Sequence, residues 1–207
     1  PGYIIRILVF WYENQKMSVR WGNLTSISFK VSNGVRQGGI LSSHLFNVYV
    51  DDLSTRLNKL PIGCKLGDLL INHLMYADDL VLISPSTRGL YELIAECQNY
   101  GIEFDILFNP KKSATMFFKP QYLSKINMPV FKMHNESIET VTEYTYLGHI
   151  LTDTLSDDLD ILRQRRKIFA QGNSIIRKFH MCSQDVKLTL FRSYCSSLYT
   201  AHLWLGN

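Results

Sequence analysis

The chain predicts an α+β fold, an antiparallel sheet with packed helices leading into a helical tail, on three observations. Apolar residues recur at helical spacing in three stretches of the first 101 positions. Short strand-like runs bounded by Gly, Asn and Asp alternate with them. Beyond residue 152 the strand signals stop, and the sequence turns first acidic and then basic in a helical pattern. With 207 residues, 46% of them hydrophobic and 12% aromatic, there is enough apolar surface for a globular body.

The elements follow in order. Pro1 suits a first helical turn, and Ile4, Ile5, Leu8, Val9 and Trp11 predict a helix to about Gln15. Residues 18–21 and 27–31 flank Gly22-Asn23 and read as a β-hairpin. Leu41, Leu45, Tyr49, Leu53, Leu57 and Leu60, mostly four apart, predict a long amphipathic helix with Ser42 or Ser43 near its start, stopped by Pro61-Ile62-Gly63. From 63 to 84 strand-like runs are broken at Gly67-Asp68 and at Asp78-Asp79, so two strands or more belong there. Ser84-Pro85-Ser86 opens a helix through Leu90, Leu93, Ile94 and Cys97 that ends near Gly101. Further strand candidates occupy 115–118, 129–133 and 144–151. Asp153, Asp157, Asp158 and Asp160 then lead into 163–180, which holds six Lys/Arg and no acid. Ser183 is placed to cap a last helix running from 184 to about 200. A boundary near residue 151 divides the chain into 1–150 and 151–207, and there is no internal repeat.

Composition excludes several classes. A net charge of +4 with 19% charged residues permits a nucleic-acid partner without demanding one. Cys64, Cys97, Cys182 and Cys195 form no CxxC pair and have no His at ligand spacing, which argues against zinc sites and disulfides and for a reducing, intracellular setting, nuclear or cytoplasmic. No apolar run approaches the roughly 18 residues of a membrane span, and no signal peptide is visible. The first residue is not Met and the chain opens directly into a helical pattern, so a piece of something longer is expected.

The chemistry concentrates at Asp78-Asp79, set between Leu74-Met75-Tyr76-Ala77 and Leu80-Val81-Leu82-Ile83. Desolvation and like-charge repulsion oppose two carboxylates in so apolar a run, and a divalent cation would offset both. Read alone, the tetrapeptide favours the plainer reading, a hairpin tip that uses Asp for its turn propensity. Asp51-Asp52 is a control: within a helical pattern consecutive side chains diverge, and the pair belongs to a solvated face.

The surrounding motifs sharpen this. Gly34-Val35-Arg36-Gln37-Gly38-Gly39-Ile40-Leu41-Ser42-Ser43-His44-Leu45-Phe46-Asn47 precedes Tyr76-Ala77-Asp78-Asp79; Asn109-Pro110-Lys111-Lys112 and Tyr146-Leu147-Gly148-His149-Ile150-Leu151 follow. In that order the four resemble the motifs of reverse transcriptases of non-LTR (LINE-type) retrotransposons, and 187–204 has the look of their thumb. Ser42-Ser43 stands where the family often has Ser-Pro, and Gln-Gly-Gly-Ile-Leu-Ser is also reminiscent of group II intron maturases. The resemblance implies a partial right-hand polymerase palm over 1–150 and the start of a helical thumb over 151–207. It implies that Asp78 and Asp79 bind Mg²⁺, with Mn²⁺ as an alternative, and that Arg36, Gln37, Gly38 and Tyr76 lie against template and incoming nucleotide. Lys112 would protonate the leaving pyrophosphate; Tyr146, Leu147 and Gly148 would support the primer end. Arg163, Arg165, Arg166 and Lys167 would contact duplex phosphates, although unaided that run reads as a solvated helix face.

The implied function is RNA-directed DNA polymerisation by a two-metal mechanism, with RNA template, DNA primer, dNTPs and the RNA–DNA duplex as partners and no membrane. The mechanism also needs an aspartate upstream of the Gly-Val-Arg-Gln-Gly block. Before Gly34 this chain has no Asp, and its only acid there is Glu13. The chain alone is therefore expected to bind metal weakly and not to extend primers. The alternative is a non-enzymatic, retroelement-derived nucleic-acid-binding relic.

Overall fold

The computed structural model describes residues 2–31, 34, 38–118 and 129–196. By internal contacts the chain forms two compact units, divided after Tyr100 in the last turn of a helix. This is a different position from the change of composition near residue 151.

The first unit opens with α1 (Gly2–Glu13), whose apolar positions face outward: among its residues none is buried. Two nested ladders follow. β1 (Lys16–Met17) pairs β4 (Phe29–Lys30), and β2 (Arg20–Trp21) pairs β3 (Leu24–Thr25) across Gly22-Asn23. The expected hairpin is there, but its return strand starts at Leu24 rather than Ile27, because the two-residue turn fixes the register at once. α2 (Ile40–Lys59) turns Val50, Leu53 and Leu57 inward. Its N-cap is Gly39, with no side-chain cap; Ser42 is already inside the first turn, buried, donating its N–H to the Gly39 carbonyl at 3.1 Å. The hairpins β5 (Cys64–Leu66) with β6 (Leu69–Ile71) and β7 (His73–Tyr76) with β8 (Asp79–Leu82) come next, then α3 (Thr87–Glu103). The core gathers on α2 and α3 through Leu53, Leu57, Leu93, Cys97 and Tyr100, and the Tyr100 hydroxyl donates to the Tyr49 carbonyl at 2.5 Å. Burial, helped by the charge of Glu96, pushes the Cys97 thiol up to about 12, so this cysteine is inert packing.

In the second unit β9 (Ala114–Thr115) pairs parallel to β12 (Glu139–Thr140), and β10 (Lys132–Met133) pairs β11 (Glu136–Ser137). β13 (Glu143–Tyr146) and β14 (His149–Thr152) form a hairpin. α4 (Asp158–Lys178) and α5 (Gln184–Cys195) complete the unit; Asp158 and Asp160 sit in the first turn of α4 and Arg177 and Lys178 in its last, the order its dipole favours. Ser183 caps α5 as expected, accepting the Val186 N–H at 3.5 Å. Positions 197–200 of the expected last helix lie outside the described residues.

The architecture is mixed helix and strand, as predicted. It does not form one continuous antiparallel sheet: among the described residues the strands pair only two by two, and one pair is parallel. The reason is local. Strands of two to four residues are closed by their own turns, and 144–151, expected as one strand candidate, folds back at Leu147-Gly148.

Candidate active site

Asp78 and Asp79 sit at the tip of the β7–β8 hairpin. Tyr76 pairs with Asp79, so Ala77 and Asp78 are the two turn residues. Ala77 has φ +52, the backbone that a tight hairpin ordinarily gives to glycine at its first turn position. Held that way, the turn aims both carboxylates outward. Both are exposed, and among the described residues neither is engaged by a hydrogen bond or ion pair.

The base of the hairpin is fixed instead. Asn72, 2% exposed, donates from Nδ2 to the Leu57 carbonyl of α2 at 2.6 Å. Its Oδ1 must then accept from His73 Nδ1, at 2.7 Å, which leaves His73 Nε2 to accept from the Ser54 hydroxyl at 2.8 Å. This network suits the Nδ1–H form of the imidazole, and burial holds its pKa below the ordinary range. The sequence signal for this anchor is a polar Asn72-His73 step inside an apolar run.

A cleft of about 510 Å³ opens between α2 and this hairpin, lined by Asn47, Asp51, Ser54, Met75, Tyr76 and Ala77 among others. The control pair separates as expected for a helix: Asp52 accepts from Arg56 at 2.8 Å, while Asp51 faces the cleft, and both are solvent-exposed. Two carboxylates are a partial donor set for Mg²⁺, which keeps several waters and takes further ligands from substrate phosphates. Among the described residues no third acid, His or Cys joins them. Gly38 has φ +78, a left-handed turn at the entry to α2; Arg36 and Gln37 lie outside the described residues.

In the second unit Asn109 shapes the turn that carries Lys112. Its side-chain Oδ1 accepts the Lys111 N–H at 3.0 Å, and its carbonyl accepts Lys112 N–H at 3.1 Å and the Ser113 hydroxyl at 2.9 Å. Lys111 and Lys112 project from it, exposed. In the β13–β14 hairpin Leu147 has φ +45 and Gly148 φ +86, two left-handed residues in succession, the form that twists with the strands. Tyr146 is half-buried and Leu147 exposed.

Arg163, expected to contact duplex phosphates, is engaged within the protein. Its Nη2 donates both to the Gly148 carbonyl and to Asp160, and its Nε is buried with no partner among the described residues. Asp160 is 1% exposed and also meets His149 Nδ1 at 3.2 Å. Arg165 lies over the Phe169 ring at 5.8 Å. Arg166 and Lys167 are exposed and line a cleft of about 480 Å³ with Glu143, Ile150, Leu159 and Leu162. The Asp160–Arg163 spacing of three was the sequence signal for an internal pair.

Residues 4–151 match the reverse transcriptase (RNA-dependent DNA polymerase) family, and the chain belongs to it. Among known proteins it is similar to the retrovirus-related Pol polyprotein of the type-2 retrotransposable element R2DM of Drosophila melanogaster, 31% identical over 151 residues, which is 69% of this chain and 14% of that protein. The type-1 element R2 polyprotein of Popillia japonica is 28% identical over 139 residues, 64% of this chain and 23% of its own length. The RNA-directed DNA polymerase of the mobile element jockey of Drosophila funebris is 27% identical over 163 residues, 75% and 17% respectively. The chain thus spans less than a quarter of each of these relatives.

Proposed function

We propose that the chain is part of an RNA-directed DNA polymerase of a non-LTR retrotransposon, with a partial palm over 1–150 and the start of a thumb over 151–207. The observation that carries this is the pair Asp78-Asp79, outward and without a partner among the described residues, at the tip of a hairpin whose base is pinned to α2. Membership of the family and the similarity to polymerases of mobile elements support it. No described helix is long and apolar enough to cross a membrane.

The reaction is nucleotidyl transfer from a dNTP to the 3′-hydroxyl of a DNA primer on an RNA template, with pyrophosphate leaving. Asp78 and Asp79 would hold Mg²⁺ or Mn²⁺, which in this chemistry lowers the pKa of the attacking hydroxyl and offsets charge on the leaving group. Tyr76 borders the cleft where template and nucleotide would lie, with Gly38 and the Arg36-Gln37 segment assigned to the same contacts. Tyr146, Leu147 and Gly148 support the primer end, Lys112 donates a proton to the leaving pyrophosphate, and Arg165, Arg166 and Lys167 face duplex phosphates.

Two carboxylates without a third leave the described set short of a two-metal site. On a homopolymer template with Mg²⁺ or Mn²⁺, this chain gives no extension, whereas a protein carrying a further upstream aspartate extends, and Asp78→Asn lowers that rate by at least about a hundredfold. The same substitution leaves salt-sensitive duplex binding intact. Robust product from the chain alone contradicts the need for a further upstream aspartate, and an active Asp78→Asn enzyme contradicts the assignment of Asp78; duplex binding with no extension by the longer protein favours the nucleic-acid-binding relic.

A further inference from the structure

Two residues of the β13–β14 tip, Gly148 and His149, are tied to α4. The Gly148 carbonyl accepts from Arg163 Nη2, the same nitrogen donates to Asp160, and His149, the next residue, meets the other Asp160 oxygen at 3.2 Å. A carboxylate 1% exposed is costly unless it is compensated, and here both compensating groups bear on one turn. The turn itself is soft by composition, since Gly148 at φ +86 has no Cβ to restrict it. The ladder sets the turn's form, and the ion-pair cluster fixes its position over α4.

Among the described residues nothing comparable restrains the neighbouring cations: Arg165 lies on Phe169, and Arg166 and Lys167 are exposed. We propose that Arg163 and Asp160 are positioning residues, a clamp that sets the height of the Leu147-Gly148 turn over α4 and thereby the surface on which a primer 3′ end rests. The primer half of this rests on the polymerase reading above; the clamp itself does not. Arg163 acts through Gly148 and touches no substrate.

The test uses the 207-residue chain and a DNA primer ending in 4-thiothymidine annealed to RNA. Losing charge-assisted bonds to the turn, Arg163→Ala lowers photo-cross-linking of the 3′ end to residues 146–148 by about tenfold per bound duplex, while duplex Kd changes by less than about threefold. Arg166→Ala does the reverse, weakening binding and its salt slope with the cross-linked fraction unchanged. A second measurement needs no nucleic acid: in Arg163→Ala, and in the milder Asp160→Asn, amide exchange at 147–149 accelerates about tenfold while the middle of α4 stays protected. Unchanged exchange at the tip overturns the clamp, as does an Arg163→Ala chain that behaves like Arg166→Ala. If the unaltered chain cross-links nowhere on the turn while exchange responds as stated, the primer half falls but the clamp stands, and the polymerase reading is decided separately by the extension assay.

Discussion

The two four-residue hairpins, β7–β8 and β13–β14, share a design and differ in where they are fastened. Each pairs four residues with four across a two-residue turn that begins at positive φ, Ala77 in one and Leu147 in the other. The first is held at its base, where Asn72 and His73 bond to Leu57 and Ser54 of α2, and among the described residues its tip has no protein partner. The second is held at its tip, by Arg163 and Asp160. A tip that carries exposed carboxylates with no protein partner is open to a ligand from outside. A tip that the protein pins is a surface against which something else is set.

Substitutions at the two tips and at the base of the first test this comparison. Asp160→Ala leaves Arg163 without its buried partner and costs about 3 kcal/mol, read as a lower urea midpoint. Asp78→Asn, with no protein partner to lose, changes stability by less than about 0.5 kcal/mol; equal losses would erase the distinction between the tips. Asn72→Ala orphans the Leu57 carbonyl and costs about 1 to 3 kcal/mol. Ala77→Val puts a β-branched side chain at φ +52 and costs roughly 1 to 2 kcal/mol, seen as faster exchange across the β7–β8 ladder. The smallest effect is acid sensitivity. Because burial depresses His73 below 6.5, the unfolded chain takes up a proton first, and stability present above about pH 6.5 is lost as pH falls below it. The melting temperature should drop more between about pH 7.5 and about pH 5 in the natural chain than in His73→Gln; identical profiles would remove His73 from the anchor.

Much of this was legible in the sequence because it is written locally. Helical spacing gave α2 and α3, Ser183 marked the start of α5, and two acids in an apolar run marked the β7–β8 tip. The assignment of Asp51-Asp52 to a solvated helix face followed from the same period. What could not be read is tertiary. Gly39 caps α2 because Ser42 faces inward, and α1 carries an apolar pattern yet buries none of its residues. Arg163 looked like its neighbours Arg165 and Arg166 in a basic run; only the fold brings Gly148 within its reach, fifteen residues away in sequence.

The central claim is that Asp78 and Asp79 are outward ligands for a divalent cation, and Mn²⁺ titration of the 207-residue chain followed by electron paramagnetic resonance tests it most directly. Weak, saturable binding that disappears in the Asp78→Asn/Asp79→Asn chain, with the melting curve unaltered, is the predicted result. A doubly substituted chain that binds Mn²⁺ as the natural one does would contradict it.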